Sequence, residues 1–200
     1  MSNVISIRNN FPKAAAALDR MGKDVGDKAM VRALNETVRQ GKTAMARQIV
    51  KEFRVTTAQA KDRMDVTYAK AKGGGIRFSA SLKATKRLKG RGMNLIHFVT
   101  QIPVRTKRGK LAQLKFQIKR TGGRKSIKGA FVGINRKTGG RAVFIREGKA
   151  RLPIRTLTTI DIPQMFNTMR INTVIRTVMQ QRFDINFQRQ LRAVLKGFAR

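Results

Sequence analysis

The sequence predicts an α+β protein, with N-terminal helices, a central antiparallel β-sheet with long basic loops and a long C-terminal helix. Apolar residues recur at helical spacing before residue 72 and after residue 163. Between these parts, short apolar runs alternate with Gly-containing turns, as strands and hairpins require. We interpret residues 1–200 as a single domain with a helical part (1–72), a basic β part (73–163) and a C-terminal helix (164–200).

The N-terminal part predicts one strand or tail and three helices. Val4–Ile7 is a short apolar start, either a tail or an added strand, and the next helix begins near Asn10 and stops at Gly22. A longer helix opens at Asp27. Its predicted core stripe, with a close-packed Gly on the same face, is Met30, Leu34, Val38, Gly41, Met45, Ile49 and Phe53. Thr56 and Gln59 form a capping-box pattern that starts a short helix, Thr57–Met64.

The middle of the chain predicts strands. Alternating residues predict one strand over Ile76–Leu82, preceded by a flexible Gly joint, and another over Leu114–Ile118. The runs Ala130–Ile134 and Ala142–Ile145 flank a turn in which Gly139 and Gly140 can take positive backbone angles, so they predict a hairpin. A further run, Ile154–Ile160, predicts extended structure that ends at Pro163.

A single helical pattern covers the C-terminal part, from Gln164 to about Ala199, with a bend or break expected near Asp184–Asn186. Its expected apolar stripe is Met165, Met169, Val174, Val178, Phe183, Phe187, Leu191, Val194 and Phe198. Ile171 and Ile185 lie off this stripe. We expect them to be exposed, and they are candidate contacts with a neighbouring subunit.

Charge is the most unusual property of the chain. It has 45 Lys+Arg against 10 Asp+Glu, a formal net charge of +35, and Glu147 is the only acidic residue between Val66 and Ile160. Such a protein binds polyanions, so its partners would be nucleic acid, an anionic membrane or an acidic protein assembly. No apolar run approaches the roughly 18 residues of a membrane-spanning helix. The chain start lacks the apolar core of a signal peptide, and there is no cysteine.

The candidate catalytic residues are few, and they argue against an enzyme. The only histidine, His97, lies in an apolar run, which favours a structural role. Asp62 and Asp65 are the closest acidic pair, but Lys61 and Arg63 stand among them, as on a solvated helix face. No clustered metal ligands, phosphate-binding loop or G-x-S-x-G motif occurs in the sequence. We therefore expect no catalytic residue, no metal and no cofactor.

Four basic clusters at predicted loops and hairpin tips are the candidate contact sites. One such run is commonly a solvated loop, but four with almost no acid between them favour phosphate or carboxylate partners. Few stacking aromatics and no base-reading motif are present, which favours nonspecific contacts. The candidate residues for DNA or an acidic partner are Lys83, Lys86, Arg87, Lys89, Arg91, Arg105, Lys107, Arg108, Lys110, Lys119, Arg120, Arg124, Lys125, Lys128, Arg136, Lys137 and Arg141.

The order of these features resembles the minor tail protein Z family, the tail completion proteins of long-tailed bacteriophages and prophages. The likeness covers nearly the whole chain and is sharpest from Ile127 to Phe166. It is carried by Phe53–Val55, the Thr57–Met64 helix with Arg63, Gly129–Phe131, Arg146–Gly148, Arg151–Ile154, Ile162–Pro163 and the long basic C-terminal helix with Leu191.

This resemblance implies a structural virion protein that is added at the head-proximal end of the tail, in the neck, after assembly in the host cytoplasm. Its implied partners are other copies in a ring, most simply of six, together with the tail terminator, the tail tube and the head–tail connector. Genomic DNA in the channel is a further implied partner, and no membrane is involved. The basic loops would then be neutralised by DNA or by acidic neighbouring rings.

Two other interpretations remain open at the sequence level. A stand-alone, nonspecific nucleic-acid-binding protein would bind free DNA or RNA with a steep salt dependence and without any tail component. A membrane-active cationic protein would need an exposed amphipathic basic helix, and the C-terminal helix has a suitable composition. Packing of its apolar face against the core explains that helix better.

Overall fold

The computed structural model describes residues 4–7, 23–72, 75–77, 79–84, 92–101, 113–136 and 139–198. Its helices and strands confirm the α+β class. In chain order they are β1 (Val4–Ile7), α1 (Lys23–Glu52), α2 (Thr57–Asp62), β2 (Met64–Thr67), β3 (Lys70–Lys72), β4 (Gly75–Arg77), β5 (Ala80–Ala84), β6 (Met93–Asn94), a 3-10 helix (Leu95–Phe98), β7 (Val99–Gln101), β8 (Lys115–Phe116), β9 (Lys125–Ser126), β10 (Phe131–Ile134), β11 (Arg141–Arg146), β12 (Ile154–Thr156), β13 (Thr158–Thr159), α3 (Ile162–Phe166) and α4 (Met169–Phe198). The helix predicted between Asn10 and Gly22 lies outside the described residues.

The two long helices, α1 and α4, pack against each other in antiparallel orientation. Near the middle of α1, Glu36 accepts a hydrogen bond from Gln190, and at the end of α1 Glu52 lies 3.9 Å from Arg170. The predicted α1 stripe is buried, with Leu34, Val38, Met45 and Ile49 fully inaccessible, although α1 begins at Lys23 rather than Asp27. This pair therefore forms one side of the core.

Gly41 lies against Met179 where the two helices pack together. A Cβ atom at this position would lie 2.8 Å from the Met179 sulfur, so any residue larger than glycine would displace the Met179 side chain. The predicted role of Gly41 in helix–helix packing is confirmed.

The middle of this helix interface is polar. Asn186 is 2% exposed and donates from Nδ2 to Thr37 Oγ1 at 3.0 Å and to Gln40 Oε1 at 3.2 Å. Buried amides bonded in this way fix the relative register of two helices, because a shifted helix would leave them unpaired. The helix break considered near Asp184–Asn186 is absent, since α4 runs through this segment without interruption.

The C-terminal helical pattern instead breaks at Asn167–Thr168, between α3 and α4, so the prediction of one helix from Gln164 is wrong. The phase of the predicted stripe also fails in the first half of α4. Val174 is 40% exposed, whereas Ile171, Ile175 and Met179 are buried in the core. The break resets the helical phase, which a single continuous pattern does not anticipate.

The strands are antiparallel, as predicted, but in the described residues they divide among five small sheets rather than one central sheet. The sheet orders are β1-β5-β2, β3-β4, β13-β6, β7-β8-β9 and β10-β11-β12. The strand predicted over Ile76–Leu82 is two strands, because β4 pairs with β3 while β5 lies between β1 and β2. Residues 4–7 are thus an added strand.

Two local predictions are confirmed nearly as made. Thr56 caps α2, with Gln59 N–H donating to Thr56 Oγ1 and Thr56 N–H donating to Gln59 Oε1, although α2 ends at Asp62. The predicted hairpin is formed by β10 and β11, and Gly139 has a φ of +67° in its turn. The apolar run that follows contains β12 and β13, which join different sheets.

A buried ion pair joins the start of α3 to the end of α2. Asp161 is 1% exposed and caps α3, and its Oδ1 accepts hydrogen bonds from Arg63 Nη1 at 2.7 Å and from Ile162 N–H at 2.8 Å. Gln164 Oε1 completes a capping box by accepting from the Asp161 N–H. Two segments almost a hundred residues apart in sequence are therefore held together by one carboxylate.

Candidate cationic contact surface

The predicted contact residues that the structure describes are Lys83, Lys119, Arg120, Arg124, Lys125, Lys128, Arg136 and Arg141, and all eight are exposed. The other candidates lie outside the described residues: Lys86, Arg87, Lys89, Arg91, Arg105, Lys107, Arg108, Lys110 and Lys137. The contact surface can therefore be built from two places, the segment 119–128 and the β10–β11 hairpin.

Arg120 holds the segment 119–128 against the C-terminal end of α1. Its Nε donates to the Val50 carbonyl at 2.7 Å, and its main-chain N–H donates to the Glu52 carbonyl at 2.9 Å. The last carbonyls of a helix lack partners within the helix and attract positive charge. Arg120 therefore has a structural role in addition to its predicted one, and it presents Arg124 and Lys125 to solvent.

A second group of cations forms a small cradle at one end of the β10–β11 hairpin. Lys128, Arg146 and Lys149 line a depression of about 410 Å³ together with Phe131. The Arg146 guanidinium lies 5.5 Å from the centre of the Phe131 ring, a cation–π contact that fixes its position. Gly129, with a φ of +79°, turns the chain between Lys128 and β10.

Sequence reasoning identified only Lys128 in this cradle. Arg146 and Lys149 were not among the predicted contact residues. The antiparallel register that pairs Phe131 with Phe144 brings the end of β11 back beside the start of β10. Hairpin pairing applied to the two apolar runs could have found this neighbourhood, because it places the end of one strand next to the beginning of the other.

Arg136 and Arg141 lie at the opposite end of the same hairpin. Arg141 pairs with Ile134, three residues along β10 from Phe131, which corresponds to about 10 Å along the strand. The turn is held by the Asn135 N–H, which donates to the Gly140 carbonyl at 2.8 Å. The hairpin thus carries positive charge at both ends.

The cations of this surface are separate from three ion pairs of the described residues. Arg63–Asp161, Arg170–Glu52 and Arg189–Glu36 lie on or beside the helices. Exposed Lys and Arg side chains of this kind can neutralise phosphates or carboxylates. Lys83 differs, because it stands directly opposite Asp65 in the β2–β5 ladder and so has an acidic neighbour.

The two isoleucines expected to face a neighbouring subunit differ in their exposure to solvent. Ile171 is completely buried within the core of its own chain, so the expectation that it is exposed is wrong. The error follows from the break before α4, which places Ile171 on the core-facing side. Ile185 is 57% exposed, and its subunit contact stays a prediction.

His97 lies at the surface beside α2. Its Nδ1 is 2.9 Å from the Gln59 amide nitrogen. Partial burial lowers the pKa of His97, and the nearby positive charge of Arg63 lowers it further. Asp62 and Asp65 are exposed, but they do not share a helix face, because Asp65 belongs to β2.

The described part of the chain contains no group of three or more His, Cys, Asp or Glu side chains that could hold a metal ion. No described helix is long and apolar enough to cross a membrane.

Comparison with known protein families gives a match over most of the chain. The family model described as prophage minor tail protein Z matches residues 11–197 of the chain. No curated protein and no solved structure matches significantly. The match spans nearly all of the elements described above, from α1 to α4.

Proposed function

Because this chain belongs to the prophage minor tail protein Z family, it is a structural protein of a phage tail, and we propose that it completes the head-proximal end of that tail. In this position it supports the joining of head and tail and the positioning of DNA. The family match over residues 11–197 is the observation that carries the proposal.

The proposed location explains why the protein exposes so many cations. A ring of subunits that each carry a formal charge of +35 repels itself unless negative charge is brought close. At the end of a tail, negative charge comes from genomic DNA in the channel or from acidic neighbouring rings, namely the terminator, the tube and the connector. The segment 119–128 and both ends of the β10–β11 hairpin are the surfaces that make this contact.

The assembly that fits the proposal is a homo-oligomeric ring, most simply of six copies, formed in the host cytoplasm and retained in the virion. Ile185, which is exposed on α4, is the proposed contact between subunits. An exposed large apolar side chain on a long helix is a suitable site for such burial. The proposal includes no membrane and no catalytic step.

The test is a cryo-electron microscopy map of purified virions, searched for this chain at the neck. A symmetric ring between the tail tube and the connector is the expected result, and the orientation of the hairpin shows whether its cations meet DNA or protein. Absence of the chain from finished virions, together with salt-sensitive binding of the free protein to DNA, would replace this proposal with a stand-alone nucleic-acid-binding function.

A paired variant tests the surface. Replacing Arg124, Lys125 and Lys128 with Gln removes three charges from the proposed contact, and we expect a large loss of infectious particles. Replacing Lys51, Lys70 and Lys196 with Gln removes three exposed charges elsewhere and should leave the titre nearly unchanged. Equal titres for the two triple variants would refute the assigned role of the segment 119–128.

A further inference from the structure

A second basic surface lies on the helix pair, at arginines that belong to none of the basic clusters predicted from the sequence. A groove of about 970 Å³ runs along the junction of α1 and α4. Four exposed arginines line it, and its walls also contain amide and hydroxyl groups from both helices. The arginines are Arg32, Arg39, Arg47 and Arg182.

The arginines on α1 form a row along the groove. Arg32 and Arg39 are seven residues apart, or about 10.5 Å along the helix axis, and Arg39 and Arg47 are eight apart, or about 12 Å. Arg39 is positioned by Tyr68, whose ring centre lies 5.1 Å from the guanidinium and whose hydroxyl oxygen lies 3.4 Å from Arg39 Nε. The middle cation of the row is therefore held in place before any partner binds.

The only carboxylate among the groove residues already has partners. Glu36 forms an ion pair with Arg189 and accepts hydrogen bonds from Gln40 at 3.3 Å and from Gln190 at 3.0 Å. Its carboxylate oxygens are therefore engaged by side chains other than the four groove arginines. The Glu36 carboxylate would repel a continuous phosphate chain lying in the groove. Separate carboxylates can instead bind the arginines on either side of Glu36.

The shape of the groove also selects its occupant. The axes of two packed helices are about 8–10 Å apart, so the groove between them accepts a third helix but is too narrow for a DNA duplex. Acidic residues seven apart on one face of such a helix would be spaced like Arg32 and Arg39. Arginine binds carboxylates in a two-point geometry that lysine does not offer.

We infer that this groove is a docking site for an acidic α-helical segment of a partner protein, with carboxylates at heptad spacing opposite the α1 arginines. The inference goes beyond the proposed function, because it rests on the groove alone and holds whether or not the chain lies at the head-proximal end. It gives the helix pair a contact role separate from that of the loops.

The probes are two synthetic helical peptides of about 22 residues and one DNA duplex of similar length, each labelled for fluorescence anisotropy. One peptide carries Glu at every seventh position, and the other carries the same number of Glu residues scattered around the helix. The full-length protein is compared with the variant Arg39→Gln/Arg47→Gln. The matched variant Lys51→Gln/Lys115→Gln also removes two exposed charges, but outside the groove.

The groove variant should bind the heptad peptide at least about tenfold more weakly, because it loses two charge-assisted contacts, while the matched variant changes affinity by less than about twofold. The unaltered protein should also prefer the heptad peptide to the scattered one. Equal losses for the two variants, or equal affinities for the two peptides, would mean general charge attraction and would overturn the inference. A loss of duplex binding as large as the loss of peptide binding would overturn it in favour of DNA.

Circular dichroism and thermal melting of each variant establish that the helix pair is intact. If Arg39→Gln/Arg47→Gln does not fold, the variant Arg39→Lys/Arg47→Lys retains the charge and removes the two-point geometry. It should still weaken heptad-peptide binding relative to the scattered peptide, and an unchanged preference would overturn the inference.

Discussion

The ion pair between Arg63 and Asp161 gives a sharp quantitative prediction. The Asp161 side chain is 2% exposed and the Arg63 side chain is 22% exposed, so the two partners differ in their access to water. Asp161 Oδ2 accepts no hydrogen bond from the described residues, so the buried charge is compensated at Oδ1, by the Arg63 guanidinium and by the main-chain N–H of Ile162. Removal of Arg63 therefore leaves a buried carboxylate without its ion-pair partner, whereas removal of the Asp161 charge leaves an arginine that can reach solvent.

We expect Arg63→Met to lower the free energy of unfolding by about 3 kcal/mol, the lower end of the range for breaking a buried pair, because Arg63 is partly exposed. Asp161→Asn should lower it by about 1 kcal/mol, since the Asn side chain still caps α3. For a chain of this size, the larger effect corresponds to a decrease in melting temperature of about 6–12 °C. Urea denaturation followed by circular dichroism measures both variants.

Two comparisons make this test decisive. Arg170→Met is the same substitution at an ion pair of 3.9 Å in which the arginine side chain is 81% exposed, and it should change stability by less than about 0.5 kcal/mol. In an Asp161→Asn background, Arg63→Met should lower stability by only about 1 kcal/mol, because no buried charge remains. Equal effects of Arg63→Met and Arg170→Met would refute the reasoning.

Three further predictions concern other parts of the fold. Gly92→Ala should destabilise the protein by about 2 kcal/mol or more, because its Cβ would lie 1.7 Å from the Thr159 carbonyl oxygen; Gly148→Ala, with open space around it, is the control in urea denaturation. Asn186→Ala should lower the free energy of unfolding by about 1–3 kcal/mol, since its partner Thr37 on α1 stays buried, and a smaller change in chemical denaturation would contradict this role. Because the folded-state pKa of His97 is lowered, its contribution to stability should be constant above about pH 6.5 and should fall as the pH decreases below that value. Urea midpoints measured between about pH 7.5 and 5.5 should show this fall, and the His97→Gln variant should lack it.

Features set by neighbouring residues in the sequence could be predicted. The capping box of Thr56 and Gln59 depends on a spacing of three residues, and the hairpin turn depends on Gly139, so both were correctly identified. The stripe along α1 is equally local, because one uninterrupted helix keeps its phase over its whole length. In each case the interaction that decides the structure lies within a few residues.

Features set by distant residues could not be predicted. The start of α3 is fixed by Asp161, which is held by the distant Arg63, and the break at Asn167–Thr168 then separates α3 from α4. The cradle around Lys128 depends on strand register, and the groove on the packing of α1 against α4. Basic clusters are evident in a sequence only where cations lie close together along the chain. The groove arginines of α1 are separated by ordinary helix residues, so they do not form such a cluster.

The pairing of α1 with α4 also has a consequence for how the protein is made. Glu36 and Gln190, which meet across this pair, are 154 positions apart, so the contact waits until α4 has left the ribosome. Until then, the part of the α1 stripe that α4 covers, including Gly41 opposite Met179, stays open to water. The helix pair therefore forms late in synthesis, and a chain truncated before α4 emerges with an uncovered, aggregation-prone helix.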